Sequence, residues 1–381
     1  MSTSSSISSD EFKSEKQNLE GDVISNFAFI KLLGRGSNAN VWLCFDINAD
    51  NFVAIKVQNP EDYKSGLDEI KILSKIKKLN CEYLSGYKSH FENKINDKKT
   101  IFIIFELMGL NLNEISGLSF SNNFINKVIN QCVTGINVLH KNNITHCDIK
   151  PENILLTKLP KLLTKVINTY KTFNFLSLYK TELDKHTIVT NEVKNKIKKM
   201  INRSIVDEMK ILIYEECQDE YDLEIIEQCD ICITDFGLFC QNDEYHLNSF
   251  GTLYYLAPES LLYLKHTPKI DFWAFGCTIY ELITGNILFD PPKDEYDRKY
   301  HHFYKMQRLF GKLPYYMINK SRIRKKYFNN NGSIKEYDKS DSENISEYLI
   351  EKGFNKYYIP FLLETLQLDP KKRKLNMVIE N

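Results

Sequence analysis

From Phe27 to about Glu106 the chain runs through short stretches of β-branched and aromatic residues, broken by one helical stretch from Leu67 to Leu79. Such short runs predict a small antiparallel sheet carrying a single helix. Beyond Ser121 the period lengthens. Phe124, Val128, Ile129, Cys132, Val133, Ile136 and Leu139 recur at helical spacing, and helical patterns continue from there, with Gly285, Pro291, Pro292 and Gly311 marking connections. The predicted fold class is α+β, with a small N-terminal sheet lobe over residues 27–108 and a larger, mainly helical C-terminal lobe over 109–376.

Other stretches break this pattern. Residues 1–26 begin rich in Ser, Glu and Lys without an apolar core, so they are expected to be a disordered tail. Ser333 to Ser346 is polar and reads as an exposed loop. Between Thr157 and Gln228, Val193, Ile197, Met200, Ile201, Ile205, Met209 and Leu212 fall on one helical face, with Lys194, Lys198 and Lys199 elsewhere. Two readings of this segment stay open: a regulatory or localising spacer, or a helical excursion that packs its apolar stripe on the body of the protein. Disorder is expected from about Cys217 to Gln228.

Composition narrows the class. The 381 residues are 43% hydrophobic and 26% charged, as in a water-soluble globular protein. Basic and acidic side chains number 50 each, so bulk charge gives no reason to expect a nucleic-acid or membrane partner, and a monomer is expected. No apolar run reaches the roughly 20 residues of a membrane span. The nine scattered cysteines favour a reducing, intracellular setting, cytoplasmic or nuclear. Cys229-x-x-Cys232 lacks a second pair at metal-binding spacing and reads as buried thiols.

The candidate chemistry lies in His146-Cys147-Asp148-Ile149-Lys150-Pro151-Glu152-Asn153 and, much later, Asp235-Phe236-Gly237. Together these supply a carboxylate, an amine, an amide and a second carboxylate. Phosphoryl transfer asks for little else: a hydroxyl must be aligned and anionic oxygens neutralised. Asp148 can accept a hydroxyl proton and Lys150 can balance the transferring charge. Asn153 and Asp235 offer hard oxygens to Mg²⁺. Upstream, Gly34-Arg35-Gly36-Ser37-Asn38-Ala39 lies between strand-like runs, where backbone N–H groups of a hairpin can face a triphosphate. Lys56 ends Val53-Ala54-Ile55-Lys56 and needs an acidic partner. Glu69, in register with Ile72, Leu73 and Ile76, is preferred over its neighbour Asp68.

These motifs resemble those of the eukaryotic protein kinases over about residues 27–376. The resemblance implies the bilobal kinase fold, ATP with Mg²⁺ as cofactors, a protein substrate, and transfer of the γ-phosphate to Ser or Thr hydroxyls. Kinases need about a dozen residues between the equivalents of Asn153 and Asp235, so residues 157–228 are an insertion. Glu106-Leu107-Met108-Gly109 becomes the hinge, with Phe105 behind the adenine and the backbone near Glu106 and Met108 bonding its edge. Leu33, Gly34, Gly36, Val41, Ala54 and Leu155 complete the nucleotide site, and Lys56 grips the α- and β-phosphates. Gly251-Thr252-Leu253-Tyr254-Tyr255-Leu256-Ala257-Pro258-Glu259 looks like the substrate-facing loop, with Thr252 bridging Asp148 and Lys150. Glu259 should pair with Arg373, and Asp271-Phe272-Trp273-Ala274-Phe275-Gly276 looks like the buried helix that anchors the catalytic loop.

Within that family the chain is most similar to the kinases of serine/arginine-rich splicing proteins. Ile149 to Leu156 before a long insertion, Phe105 to Gly109, and Thr284 to Pro291 carry this resemblance, whereas Asp235-Phe236-Gly237-Leu238 and Gly251-Thr252 depart from it. It implies an arginine-rich substrate, which Asp290, Asp294, Glu295 and Asp297 could meet; a solvated acidic face is the other reading. Cys147 stands where most kinases have the arginine that answers an activation-loop phosphate, so constitutive activity is expected, with Leu238 to Ser249 held by packing. The alternatives are a general serine/threonine kinase with unrelated substrates and a scaffold that keeps the fold without the chemistry. The presence of Lys56, Asp148 and Asp235 weighs against the scaffold.

Overall fold

The computed structural model describes residues 18–213, 222–241, 251–291, 297–336 and 342–378. Six strands, β1 (Val23–Ile24), β2 (Phe27–Arg35), β3 (Ala39–Asp46), β4 (Asn51–Gln58), β5 (Tyr87–Ile95) and β6 (Lys98–Phe105), form an antiparallel sheet in the order β1-β2-β3-β4-β6-β5. The connection between β4 and β5 is helix α1 (Tyr63–Lys78). Period-two alternation gives this sheet two apolar faces. On one, Phe29, Trp42, Cys44, Ile55 and Phe102 pack with Leu19, and Phe91 stacks on Phe102 at 4.6 Å.

Leu19 moves the expected tail boundary. It is buried on that face, and the Gly21 N–H donates to the Phe29 carbonyl at 2.9 Å, so residues from about 19 onward belong to the sheet lobe. One leucine in a polar stretch has no periodicity to announce it. Residues 1–17 lie outside the described chain.

The second lobe begins with α2 (Asn122–Lys141), whose N-terminus is capped by Ser121 accepting from the Phe124 N–H. Two short strands follow, β7 (Ile144–Thr145) and β8 (Ile154–Leu156). The insertion then forms α3 (Lys161–Thr172), α4 (Phe175–Leu183), α5 (Asn191–Ile213) and α6 (Leu223–Glu227), and the chain returns in β9 (Ile231–Ile233) and β10 (Cys240–Gln241).

Of the two readings of the insertion, packing on the body is the arrangement seen. Leu163, Val166, Ile167 and Tyr170 of α3 and Ile197, Ile201, Ile205, Val206 and Met209 of α5 cover Ala28, Ile30, Leu43 and Phe45, the second face of the sheet. Met200 and Leu212 were expected in that stripe but are 51% and 57% exposed, while Val206 is buried. Asn202, fully buried, closes the seam. Its amide donates to the carbonyls of Asp22 at 3.1 Å and Phe29 at 3.0 Å and accepts from the Tyr170 hydroxyl at 2.9 Å. The disorder expected from Cys217 to Gln228 is also corrected. Residues 222–228 are ordered around the helix Leu223–Glu227, because Asp222 caps α6 and Glu227 receives the Ser121 N–H and hydroxyl; residues 214–221 lie outside the described chain.

The remaining frame is α7 (Pro258–Leu261), the buried α8 (Ile270–Thr284), α9 (Arg298–Phe310) and shorter helices to residue 365. Arg373 pairs with Glu259 through two bonds of 2.5 and 2.7 Å, both side chains being buried, and its guanidinium lies over Trp273. The stretch read as an exposed loop, Ser333 to Ser346, includes Ile334, which is fully buried, its N–H donating to Gln307 Oε1; residues 337–341 lie outside the described chain.

Replacing Asn202 by Ala takes the acceptor from the buried Tyr170 hydroxyl and the second donor from the Asp22 and Phe29 carbonyls, which keep the Phe29 and Gly21 N–H groups. The expected loss is about 1–3 kcal/mol, read as a lower urea midpoint at constant m-value. An unchanged midpoint would mean that this seam contributes nothing to stability.

Candidate active site

Lys56 lies on β4 between Val41 of β3 and Ile103 of β6, so the sheet fixes its position. Its ammonium bonds Glu69 Oε1 at 2.7 Å and Asp235 Oδ1 at 2.7 Å. Glu69 lies on the inner side of α1 with Ile72, Leu73 and Ile76 and is 2% exposed, whereas Asp68 turns outward to Lys71. Gln58 donates to the other oxygen of Glu69 at 2.7 Å. Gln58 was not singled out from the sequence. Its place two residues after Lys56, on the same face of β4, was the available signal. Burial opposes the Lys56 charge, but Glu69 and then Asp235 outweigh it and hold its pKa above the ordinary lysine value. Asp235 is held below the usual carboxylate range because the Lys56 charge and hydrogen bond overcome the cost of burial.

Asp148 sits on the loop after β7. Its carboxylate accepts from Lys150 Nζ at 2.8 Å, from the Thr252 N–H at 2.9 Å and hydroxyl at 3.0 Å, and from Asn153 Nδ2 at 3.3 Å. Lys150 also reaches Thr252 Oγ1 at 3.0 Å, closing a triangle in which Thr252 lies over 100 residues along the chain from Asp148 and Lys150. The Asp148 N–H donates to His146 Nδ1, and His146 Nε2 faces the Thr234 carbonyl at 2.9 Å. A carbonyl only accepts, so His146 Nε2 carries a proton and donates it to Thr234. Its ring rests on Phe236, which ties Asp148 to Asp235 through packing.

Asp271, at the start of α8, anchors this loop. It is fully buried and accepts the N–H groups of His146 and Cys147, each at 2.9 Å, and His140 Nε2 at 2.8 Å. Cys147 has φ of 70°, a left-handed conformation that costs a non-glycine residue about 1 kcal/mol or more. The Cys147 thiol donates to the Thr145 carbonyl at 3.6 Å, and the neighbouring Cys240 side chain, with burial, pushes it well above the ordinary thiol pKa.

At the mouth between the lobes, Leu33 is half exposed, Gly34 pairs with Val41, and Ala54 pairs with Phe105. Leu155 of β8, in the other lobe, is bridged to Asn111. Among the described residues, no hydrogen bond takes up the Glu106 carbonyl or the Met108 N–H, whereas the Glu106 N–H donates to Gly86 at 2.6 Å. Gly36 donates to the Ala39 carbonyl at 2.8 Å, and a Cβ on Gly34 would meet nothing within 4 Å. Gly109 has a stricter reason to be glycine: a Cβ there would lie 1.9 Å from the Lys158 carbonyl oxygen. Asn153 turns its amide N–H to the Asp148 carbonyl at 2.8 Å, which leaves its Oδ1 and the second oxygen of Asp235 as hard donors. Two protein donors suit Mg²⁺, which keeps waters and phosphate oxygens for the rest of its shell.

The profile of the protein kinase domain matches residues 27–168 and 211–377. The chain belongs to the protein kinase family. Most of the insertion falls between the two matched stretches. Serine/threonine-protein kinase SRPK of Physarum polycephalum is 28% identical over 92% of this chain and 83% of its own length. Dual specificity protein kinase CLK1 of Mus musculus is 27% identical over 93% of this chain and 65% of its own. A solved kinase domain superposes with a TM-score of 0.63 at 23% identity, covering 92% of each chain, and shows the same fold. This kinase is thus a protein serine/threonine kinase by its family and relatives. Among the described residues no helix is long and apolar enough to cross a membrane.

The Asp271 carboxyl is held below its ordinary pKa; burial opposes the charge, but the bond from His140 and the two backbone N–H groups more than offset it. A carboxyl depressed on folding adds stability that is present above its unfolded pKa, about 4, and is lost as pH falls through the lower folded value. Asp271→Asn should therefore lose about 1–3 kcal/mol near neutrality. Its unfolding free energy should also fall less steeply than the parent's between pH 4 and pH 3, measured by urea titration at each pH. Parallel profiles would remove the linkage assigned to this carboxyl.

Proposed function

We propose that this kinase transfers the γ-phosphate of ATP to a serine or threonine hydroxyl of a protein, with Asp148 accepting the hydroxyl proton. The bond between the γ-phosphorus and the β–γ bridging oxygen breaks as the hydroxyl oxygen bonds to phosphorus, and ADP leaves. The observation that carries this reading is the closed triangle of Asp148, Lys150 and Thr252, beside a Lys56 already paired with Glu69 and Asp235. Thr252 aims the carboxylate, and Lys150 offsets the charge of the moving phosphoryl group. Lys56 grips the α- and β-phosphates while Glu69 holds it in place. Leu33, Val41, Ala54, Phe105 and Leu155 enclose the base, and Glu106 and Met108 offer their free backbone groups to its edge. Gly34 and Gly36 keep side chains away from the phosphates. Asn153 and Asp235 would hold Mg²⁺, which when bound neutralises phosphate oxygens.

The same geometry supports activity without an activating phosphate. The substrate-facing loop is tethered through the Thr252 N–H and hydroxyl to Asp148, and the position of the usual phosphate-answering arginine is Cys147, whose buried thiol donates to the Thr145 carbonyl. Residues 242–250, in which the expected activation loop falls, lie outside the described chain. An arginine-rich substrate finds less support. Of the four carboxylates expected to receive it, Asp297 is engaged by Lys326 and Tyr327, Asp294 and Glu295 lie outside the described residues, and only Asp290 is exposed.

Asp148→Ala should lower turnover of a serine peptide about a thousandfold while leaving Mg·ATP binding within a few fold, since misplacing the nucleophile costs several kcal/mol of the barrier. Steady-state kinetics and nucleotide titration measure the two effects. Equal activity in the variant would overturn the assignment. Phosphatase-treated parent enzyme should keep its rate; a collapse to background would overturn unphosphorylated activity.

A further inference from the structure

The surface beside the substrate-facing loop carries three cations, Arg298, Lys299 and Arg322, that have no carboxylate partner among the described residues. Two residues after Thr252, the Tyr254 hydroxyl accepts from Arg298 Nη2 at 2.9 Å, and the guanidinium lies 5.4 Å from that ring's centre. The next cation, Lys299, sits over Tyr263 at 4.1 Å, and Arg322 over the same ring at 4.3 Å. Among the described residues, none of the three forms an ion pair. Asp297, the nearest acid in the chain, gives its carboxylate to Lys326, Tyr327 and the Lys299 N–H.

This arrangement is locally unfavourable. Arg298 and Lys299 occupy the first turn of α9, where the helix dipole is positive and acidic residues are favoured; the one acid at this end is the N-cap Asp297, whose carboxylate is shared with Lys326 and Tyr327. Tyr263 has φ of 56°, a left-handed conformation that strains a bulky residue, and it holds two like charges near one ring. Aromatic contacts fix the positions of the cations but leave their charge unneutralised. An anion here would relieve both the dipole conflict and the mutual repulsion.

We propose that Arg298, Lys299 and Arg322 read an anionic side chain next to the target hydroxyl, so that the preferred substrates are acidic or already phosphorylated proteins instead of arginine-rich ones. The proposal rests on the kinase reading above. The run from Thr252 to Tyr254 supplies the geometry, since one end holds the carboxylate that meets the hydroxyl and the other carries Arg298. Carboxylate and phosphate share the required chemistry, and the assay separates them.

The test uses the full chain and a set of serine peptides with Glu, phosphoserine, Ala or Arg placed singly at each of three positions on either side of the serine. Glu or phosphoserine at one or more positions should raise kcat/KM at least about tenfold over Ala, a difference of roughly 1.4 kcal/mol, and added salt should shrink that ratio. A larger gain from phosphoserine identifies a phosphate-primed substrate, and an equal gain identifies an acidic one. In Arg298→Ala and Lys299→Ala the ratio should fall toward one, while Arg298→Lys, which keeps the charge, retains part of it. A purely structural role would lower all peptides alike. Turnover by the parent with no anion preference, with a preference for Arg, or with a preference that survives both alanine variants overturns the proposal and leaves the kinase reading intact. Absence of turnover on every peptide overturns both.

Discussion

The buried carboxylate of Asp271 is the constraint on which the site's geometry depends. A charge taken fully out of water costs several kcal/mol unless hydrogen bonds replace its hydration, and here three N–H groups do so: those of His146, Cys147 and the His140 ring. Two of these donors belong to the loop that carries Asp148. The price of burying one charge is thus converted into the shape of the catalytic loop, including the left-handed turn at Cys147. Because Asp271 opens α8, which packs against Phe361 and Leu366 and underlies the Arg373–Glu259 pair, the loop inherits the rigidity of the largest core.

The insertion leaves that core undisturbed because its two ends are neighbours. Chain leaving β8 returns in β9, and Leu155 faces Cys232 across the ladder that joins them. The Thr234 N–H then donates to the Asn153 carbonyl at 2.8 Å, so residues 81 apart in sequence sit as they would with no insertion between them. Loop-closure entropy grows only with the logarithm of length, so most of the cost of so long an excursion is local order, offset by its own burial. That burial falls on the second face of the sheet lobe, through Phe45, Tyr170 and Ile201. A segment rooted in the helical lobe is therefore packed on the sheet lobe, and opening of the cleft between them must move against this contact.

Much of this was legible because it is local. The spaced run from His146 to Asn153 is a contiguous loop, α2 has an unbroken apolar stripe, and Glu69 follows from its register with Ile72, Leu73 and Ile76, so periodicity alone marks it. What stayed hidden depends on surfaces brought together from afar. Leu19, Gln58 and Asn202 are single residues whose importance lies in a partner: an apolar face, a carboxylate and two carbonyls. A helical period marked Met200 and Leu212 as apolar without marking which flank the sheet would cover. Gly109 is similar, since the Lys158 carbonyl that excludes a side chain arrives from the insertion.

Charge behaves in the same way. The chain's formal charge sums to zero, yet fields decay over about 8 Å in physiological salt, so a peptide near Thr252 is governed by the few groups beside it and not by the sum. Read linearly, the stretch from Asp290 to Asp297 is acidic and suggests a surface for guanidinium groups. In space, Asp297 is turned to Lys326 and Tyr327, and the helix it caps presents Arg298 and Lys299 instead. On the proposed reading, one hydrogen-bonding choice by one carboxylate helps set the charge that a substrate meets beside Arg298, and no tally of residue types contains that choice.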